Sequence, residues 1–309
     1  MSGGPGRGGA ERGGGEAVGL LSPRHIAFVL PLIVLHLGCG LVFLVGITPL
    51  AVAVFLVSSA IQVVGITLGY HRLLAHRSVK TSRTLQFVLA AFGVLAGQNG
   101  PLWWVGHHRH HHRHSDTERD THSPRHGFFW GHMGWLFSPA CVPVRRRLVA
   151  DLARFPELVR LERYFYLVNF AYLGLLYAGG EVFRVLVPAA GVSGLQFCVW
   201  GMVVSTVWVY HAIWSANSIC HRFGFRRYPT PDQSRNNVIV ALLILGDGWH
   251  HNHHYYPLSA RHGFRWWELD INFAILRVLS WCGLVWDVRL PPPGMIARRG
   301  ARCGAHEIP

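Results

Sequence analysis

The sequence predicts an all-α integral membrane protein: four transmembrane helices carrying a cytoplasmic helical cap in which histidines gather. Three observations predict it. Half of the 309 residues are hydrophobic and only 14% are charged, against roughly 25% in ordinary soluble domains. The basic residues crowd into two polar blocks and nearly avoid the short connections between them. Three histidine clusters, HRLLAH at 71–76, HRHHH at 108–112 and HHNHH at 250–254, each lie beside a long apolar stretch.

The elements follow in order. Residues 1–24 are rich in Gly with scattered Arg and Glu; they bury too little apolar surface to offset chain entropy and read as a disordered tail. No small-residue cleavage site follows a short apolar core, so they do not read as a signal peptide. Spans are expected at about 25–47 and 49–70, each near the roughly 20 residues a bilayer requires, joined tightly at Thr48 and Pro49 into an antiparallel hairpin. The stretch 85–102 is apolar but broken by Gly93, Gly97, Gln98, Asn99, Gly100 and Pro101. It reads as a re-entrant or interfacial helix, because a fifth span would put His71 and His108 on opposite sides of the membrane. Further spans are expected at about 164–178, the shortest, and 195–215. Residues 291–309 form a flexible basic tail, and no linker divides 25–290, which reads as one membrane domain.

Charge placement sets orientation and excludes a function class. The net charge of +14 could suggest nucleic acid, where a basic stripe interleaved with aromatics is expected. Here Arg and Lys instead fill the block from Arg72 to Arg163 and the block after Arg222, whereas the turn at Thr48 has none and 179–194 has only Arg184. That is the positive-inside pattern. It places both termini and both histidine-bearing blocks in the cytoplasm, with a lipid bilayer and no nucleic acid as partner. The six cysteines form no C-x-x-C pair, so neither a disulfide framework nor a thiolate zinc site is implied.

Spacing decides what the histidines can do. Residues three and four apart share a helix face, so His108, His111 and His112 point one way, as do His250, His253 and His254. His71 and His76 are five apart, compatible with one metal if the helix loosens there. Imidazole is a ligand for iron, copper and zinc, and eight such side chains exceed what one ion uses, which points to two ions. A lone H-x-x-H-H in a basic loop is most often a solvated surface feature, but three clusters on one membrane face make chance a poor explanation. His107, His110, His114 and His251 point to other sides and read as exposed or as supports behind the ligands. His36 and His211 lie within spans, where a hydrogen-bonded histidine is commoner than a haem pair. His122, His126, His132, His262 and His306 carry no spacing signal.

At these residues the chain resembles the membrane fatty acyl-CoA desaturases, specifically the stearoyl-CoA-type delta-nine group found in bacteria. The resemblance covers roughly 49–270 and rests on GYHRLLAHRS (69–78), HRHHHRHSDTERDTHSP (108–124), NSICHRFGFRRY (217–228) and GDGWHHNHHYYP (246–257). It implies a ninth histidine, His221, and Asn217, which would hold a water. It also implies two Fe2+ ions, one on His71, His76, His108, His112 and His254 and the other on His111, His221, His250 and His253. Dioxygen and two external electrons would remove hydrogen from two neighbouring methylenes of a long-chain acyl-CoA and leave a cis double bond. The implied electron donor is a separate ferredoxin- or cytochrome-type protein with its reductase, and the implied location is the cell's inner (plasma) membrane. The acyl tunnel is expected between the second and fourth spans, with Ser59 and Val63 at its end; the plainer alternative has both facing lipid. Coenzyme A phosphates would meet cytoplasmic basic residues. The block RWWELD, with Trp266, Trp267 and Asp270, reads as interfacial packing.

Departures from the family pattern are few. Asp247 stands for the usual glutamate, His251 for an asparagine, His107 for an aspartate, and Thr121 for the proline of DPHS. Two other readings use the same histidines. A related di-iron hydroxylase shares the three-cluster logic, although NSICH and the SDT after HRHHH favour desaturation. A metal-handling membrane protein would line a path with ionisable residues inside its spans, whereas here the clusters sit at one end.

Overall fold

The computed structural model describes residues 22–297; residues 1–21 and 298–309, holding most of the two expected tails, lie outside them. Helix α1 (Pro23–Gly38) opens with Ser22 Oγ accepting from the His25 N–H at 3.2 Å and with proline at its first position, the arrangement that satisfies or removes orphan N–H groups. It continues as a helix to Val45. Gly46 turns the chain at φ +67°, and Thr48 Oγ1 accepts from the Ala51 N–H to start α2 (Pro49–Val64). This is the expected hairpin.

Helix α2 does not end at Val64. It widens into a π-helical segment, Gly65–Ala75, every residue of which is buried. Helix α3 (Arg83–Leu95) crosses it where Gly65 and Gly69 let backbones touch: a Cβ at Gly65 would lie 2.2 Å from Gly93 N, and one at Gly69 2.5 Å from the Leu89 carbonyl oxygen. Small residues permit such close crossings inside membranes. At 13 residues α3 is too short to span. A turn leads into α4 (Pro101–His114).

The 31-residue α5 (Pro156–Leu186) kinks at Tyr164, α6 runs Gly194–Ser218, and the shorter helices α7 (Val238–Leu243), α8 (His250–Tyr255) and α9 (Ile271–Trp281) follow. Two-residue strands, β1 (Lys80–Thr81) and β2 (Val285–Trp286), pair antiparallel.

Three helices among the described residues are long and apolar enough to cross a membrane: Pro23–Val45, Pro49–Ala75 and Gly194–Ser218. They correspond to the expected first, second and fourth spans. The expected third, 164–178, lies wholly within α5, whose tyrosines and Asn169 dilute its apolar character. Exposed apolar side chains on these helices include Leu37, Phe43 and Leu44 on the first and Leu167, Phe170 and Leu175 on α5. An exterior of that kind needs a lipid-like cover. Inside, Ile66, Leu68 and Leu74 of the π segment share one core with Val94 of α3, Leu158 of α5, Val209 of α6, Val240 of α7 and Leu276 of α9, so the segment that carries His71 lies in the main core.

Candidate metal centre

Four elements deliver the histidines to one place. The π segment supplies His71 and ends at His76, whose backbone N–H closes a five-residue turn onto the His71 carbonyl. In this wider helix residues five apart return to the same face, the loosening that their spacing required. Helix α4 presents His108, His111 and His112 on one side, and α8 presents His250, His253 and His254. His221 follows the C-terminus of α6, and Asn217 lies in its last turn.

Arg109 ties α4 to the end of the π segment: its guanidinium donates to the Leu74 and Ala75 carbonyls, to the Leu148 carbonyl and to Asp151. Glu162 accepts from the Leu102 and Trp103 N–H groups, pairing two of the orphan donors at the start of α4.

The nine imidazoles divide into two groups whose candidate ligand atoms lie within 4.8 Å of one another: His71, His76, His108, His112 and His253 in one, and His111, His221, His250 and His254 in the other. The division expected from the resemblance exchanges two members. His253, not His254, belongs with the first group, because its Nε2 lies 3.0 Å from both His71 Nε2 and His112 Nε2. His254 lies across α8 beside His250, His221 and His111. Adjacent residues face the two groups twice, His111 and His112 from α4, and His253 and His254 from α8.

The donor set fits metal. Nitrogens bound at right angles about 2.1 Å from one ion stand roughly 3 Å apart, and here His76 and His108 Nε2 are 2.8 Å apart and His221 and His250 Nε2 are 3.1 Å apart. His111 Nε2 and His254 Nε2 are buried without a partner, which costs free energy unless something fills the space between them. Burial, and then the neighbouring imidazoles, hold His76, His108, His112, His250 and His253 well below their ordinary pKa. They are therefore neutral and keep a lone pair for a metal.

Behind four of these imidazoles stand aspartates that fix the tautomer: Asp247 at 2.6 Å from His71 Nδ1, Asp120 at 3.0 Å from His111 Nδ1, Asp116 at 2.8 Å from His221 Nδ1, and Asp232 at 2.6 Å from His254 Nδ1. Each accepts a hydrogen bond from Nδ1–H, so the unprotonated Nε2 faces inward. Burial favours the neutral acids. Even so, the His221 hydrogen bond lowers the pKa of Asp116, as His111 and His122 lower that of Asp120, His254 that of Asp232, and Arg72 followed by His71 that of Asp247. Arg72 is fully buried, with NH2 2.6 Å from Asp247 and 2.9 Å from Asp270. Asp270 is thus a core anchor rather than interfacial packing, whereas Trp266 in the same block is 92% exposed.

Other histidines sort by contact. His107 is buried, with Nε2 3.2 Å from the Pro143 carbonyl. His251 is buried and accepts the Tyr228 N–H, a support behind the ligands as expected. His110 and His114 are partly exposed. His36 and His211 lie 3.3 Å apart, His36 bonding the Leu32 carbonyl and His211 meeting His132. Two residues without a spacing signal adjoin the centre: the His122 ring is 4.3 Å from His111, and the His262 ring is 4.5 Å from His253 with Nδ1 3.1 Å from Asp247. His122 falls inside the quoted block 108–124, two residues after Asp120, whereas no quoted block contains His262.

A cavity reaches the centre at His108, His122 and Asn217. It runs between α1 (Phe28, Pro31, Leu32), the α3–α4 turn (Gly97, Gln98, Asn99), α5 (Phe165, Tyr166) and α6 (Tyr210, Ile213, Trp214). Gln98 Oε1 accepts from Trp104 Nε1 at 3.2 Å, fixing both side chains in its wall. The expected tunnel residues are not among its lining: Ser59 and Val63 are 4% and 2% exposed, packed into the interior rather than facing lipid.

Membrane-length apolar helices with two adjoining polyimidazole groups at the mouth of an aromatic-walled cavity are the architecture expected of a membrane metalloenzyme. Residues 47–280 match the fatty acid desaturase family. The chain is 42% identical over 229 residues to the sn-1 stearoyl-lipid 9-desaturase of Anabaena variabilis, covering 73% of this chain and 79% of that protein. It is 39% identical over 232 residues to an acyl-CoA 5-desaturase of Anemone leveillei, covering 74% and 68%, and 37% identical over 235 residues to the sn-2 palmitoyl-lipid 9-desaturase of a Nostoc species, covering 74% and 78%. The chain belongs to the fatty acid desaturase family.

Proposed function

We propose that this desaturase inserts a cis double bond at carbon nine of a long saturated acyl chain, using dioxygen and two electrons from a separate ferredoxin- or cytochrome-type donor. The observation that carries the reading is the paired set of nine convergent imidazoles opening onto an apolar cavity. Two iron ions would be held by His71, His76, His108, His112 and His253, and by His111, His221, His250 and His254, with Asn217 contributing through a water. When bound, iron supplies the oxidising power that an unactivated methylene demands.

The chain's own residues do the rest. The four aspartates keep Nε2 of their histidines aimed inward, Arg72 holds Asp247 in place, and the aromatic walls of the cavity order the acyl chain and exclude water. Each turnover converts one saturated bond, one dioxygen, two electrons and two protons into one double bond and two waters. The carrier is coenzyme A or a glycerolipid, the two chemistries that the names of the relatives mention for those proteins. The topology that accompanies this reading has four spans, with α5 as the third, both termini in the cytoplasm and the centre in a cytoplasmic helical cap at the inner (plasma) membrane.

The test expresses the chain, or its His111→Ala variant, in a host lacking its own desaturase and analyses fatty-acid methyl esters by mass spectrometry after derivatising the double bond. Cis-9 monounsaturated acids from the parent alone are expected. Hydroxylated products would move the assignment to a hydroxylase.

A further inference from the structure

Two buried ring nitrogens beside the centre are complementary. His253 turns its Nε2 inward, 3.0 Å from His71 Nε2 and from His112 Nε2. A neutral imidazole with its lone pair on Nε2 carries its proton on Nδ1, and His253 Nδ1 is buried without a partner. It is a donor that lacks an acceptor.

His262 supplies the reverse. Its Nδ1 lies 3.1 Å from Asp247 Oδ1 and 3.2 Å from Arg72 Nη2. Arg72 Nη2 carries two protons, which go to Asp247 at 2.6 Å and to Asp270 at 2.9 Å, so the proton between His262 and Asp247 belongs to His262. Its Nε2 is then an acceptor, and that atom too is buried without a partner. The two rings lie 4.5 Å apart, so a small turn of either, or one buried water, joins the His253 Nδ1–H to His262 Nε2. Leaving both groups unmet would cost free energy.

The surroundings hold His262 in place for this contact. Its backbone N–H donates to Asp270 at 2.6 Å and its carbonyl accepts from Asn252 Nδ2 at 2.8 Å, which ties its loop to α8 one residue before His253. Asp247, whose other oxygen meets His71 Nδ1 at 2.6 Å, thereby reaches two imidazoles of the same group, His71 directly and His253 through His262. His71, Asp247 and His262 also lie close enough together to suggest an ion of their own, but the Arg72 guanidinium already places its positive charge against Asp247.

We propose that His262 is a positioning residue for His253, holding its Nδ1–H so that Nε2 stays aimed at the ion shared with His71, His76, His108 and His112. This rests on the di-iron reading and adds a residue to it.

The test follows iron release from the iron-loaded, full-length protein in detergent to a calibrated chelator, using two substitutions that divide the imidazole. His262→Gln places its amide where Nε2 stood and keeps an acceptor for His253, whereas His262→Asn places its amide where Nδ1 stood and keeps only the arm to Asp247. His262→Asn should hold one of its two ions about 10- to 100-fold more weakly, the cost typical of losing a partner behind a ligand, while His262→Gln stays close to the parent and the other ion is unmoved in both. An Asn variant as tight as the parent, a Gln variant as weak as the Asn variant, or equal loosening of both ions overturns the proposal. A parent chain that takes up fewer than two irons would instead sink the reading on which it stands.

Discussion

The backbone N–H of His76 donates to the carbonyl of His71 at 3.1 Å, five residues back. An ordinary helix would set side chains five apart well round the cylinder from each other; here their rings stand 4.8 Å apart and converge on the same group. The widened helix is thus the device that lets one chain segment supply two imidazoles to one candidate ligand group.

His253 and His254 fall in different groups, so each variant removes an imidazole from one group only. His253→Ala and His254→Ala should each lower desaturation at least about a hundredfold, and each should cut bound iron from two ions toward one per chain. Metal analysis of the purified variants beside product yield in membranes checks this, and full iron content in both would contradict their assignment as ligands.

The aspartates act through the histidines they orient. Asp116→Asn and Asp120→Asn keep the side-chain shape but no longer hold the Nδ1 proton against a negative charge, and removing such partners typically costs 10- to 100-fold in metal affinity or activity. Competition with a calibrated chelator reads the affinity directly.

Arg72→Met leaves Asp247 and Asp270 buried without their cation, and breaking a buried pair in this way costs about 3–5 kcal/mol. Thermal unfolding in detergent should fall markedly, with His71 dislodged as Asp247 turns.

The crossing of α3 over the π segment gives a second stability test. A methyl group at Gly69 would meet the Leu89 backbone at 2.5 Å, and Gly69→Ala should cost about 1–3 kcal/mol by overpacking, whereas Gly174→Ala, with nothing within 4 Å, should be close to neutral. Equal melting temperatures for the two would refute the close approach.

Ser59 and Val63 are interior residues of α2, about three and two turns before His71. Neither lines the cavity, so Ser59→Ala and Val63→Ala should leave product chain length unchanged, as read by chain-length analysis of the monounsaturated pool.

Much of this was legible in the chain because apolar length and imidazole spacing are local properties. The hairpin at Thr48, the single face of His108, His111 and His112, and that of His250, His253 and His254 follow from helix periodicity alone. What stayed hidden depends on tertiary contact. The burial of Arg72 between Asp247 and Asp270 joins residues about 200 positions apart, so nothing in the RWWELD block marks Asp270 as a core anchor. The adjacent His253 and His254 differ only in which way α8 turns them, and sequence spacing is blind to that. His122 and His262 reach the centre from loops, where no periodicity points.

Four carboxylates behind the histidines, Asp116, Asp120, Asp232 and Asp247, carry as much negative charge as two divalent ions carry positive, while nine neutral imidazoles add none and Arg72 offsets Asp270. A loaded centre is electrically balanced within its own walls. Its four carboxylates are also buried, where salt screens charge much less than at a surface, so ions bound there should be held nearly as firmly in concentrated salt as in dilute buffer.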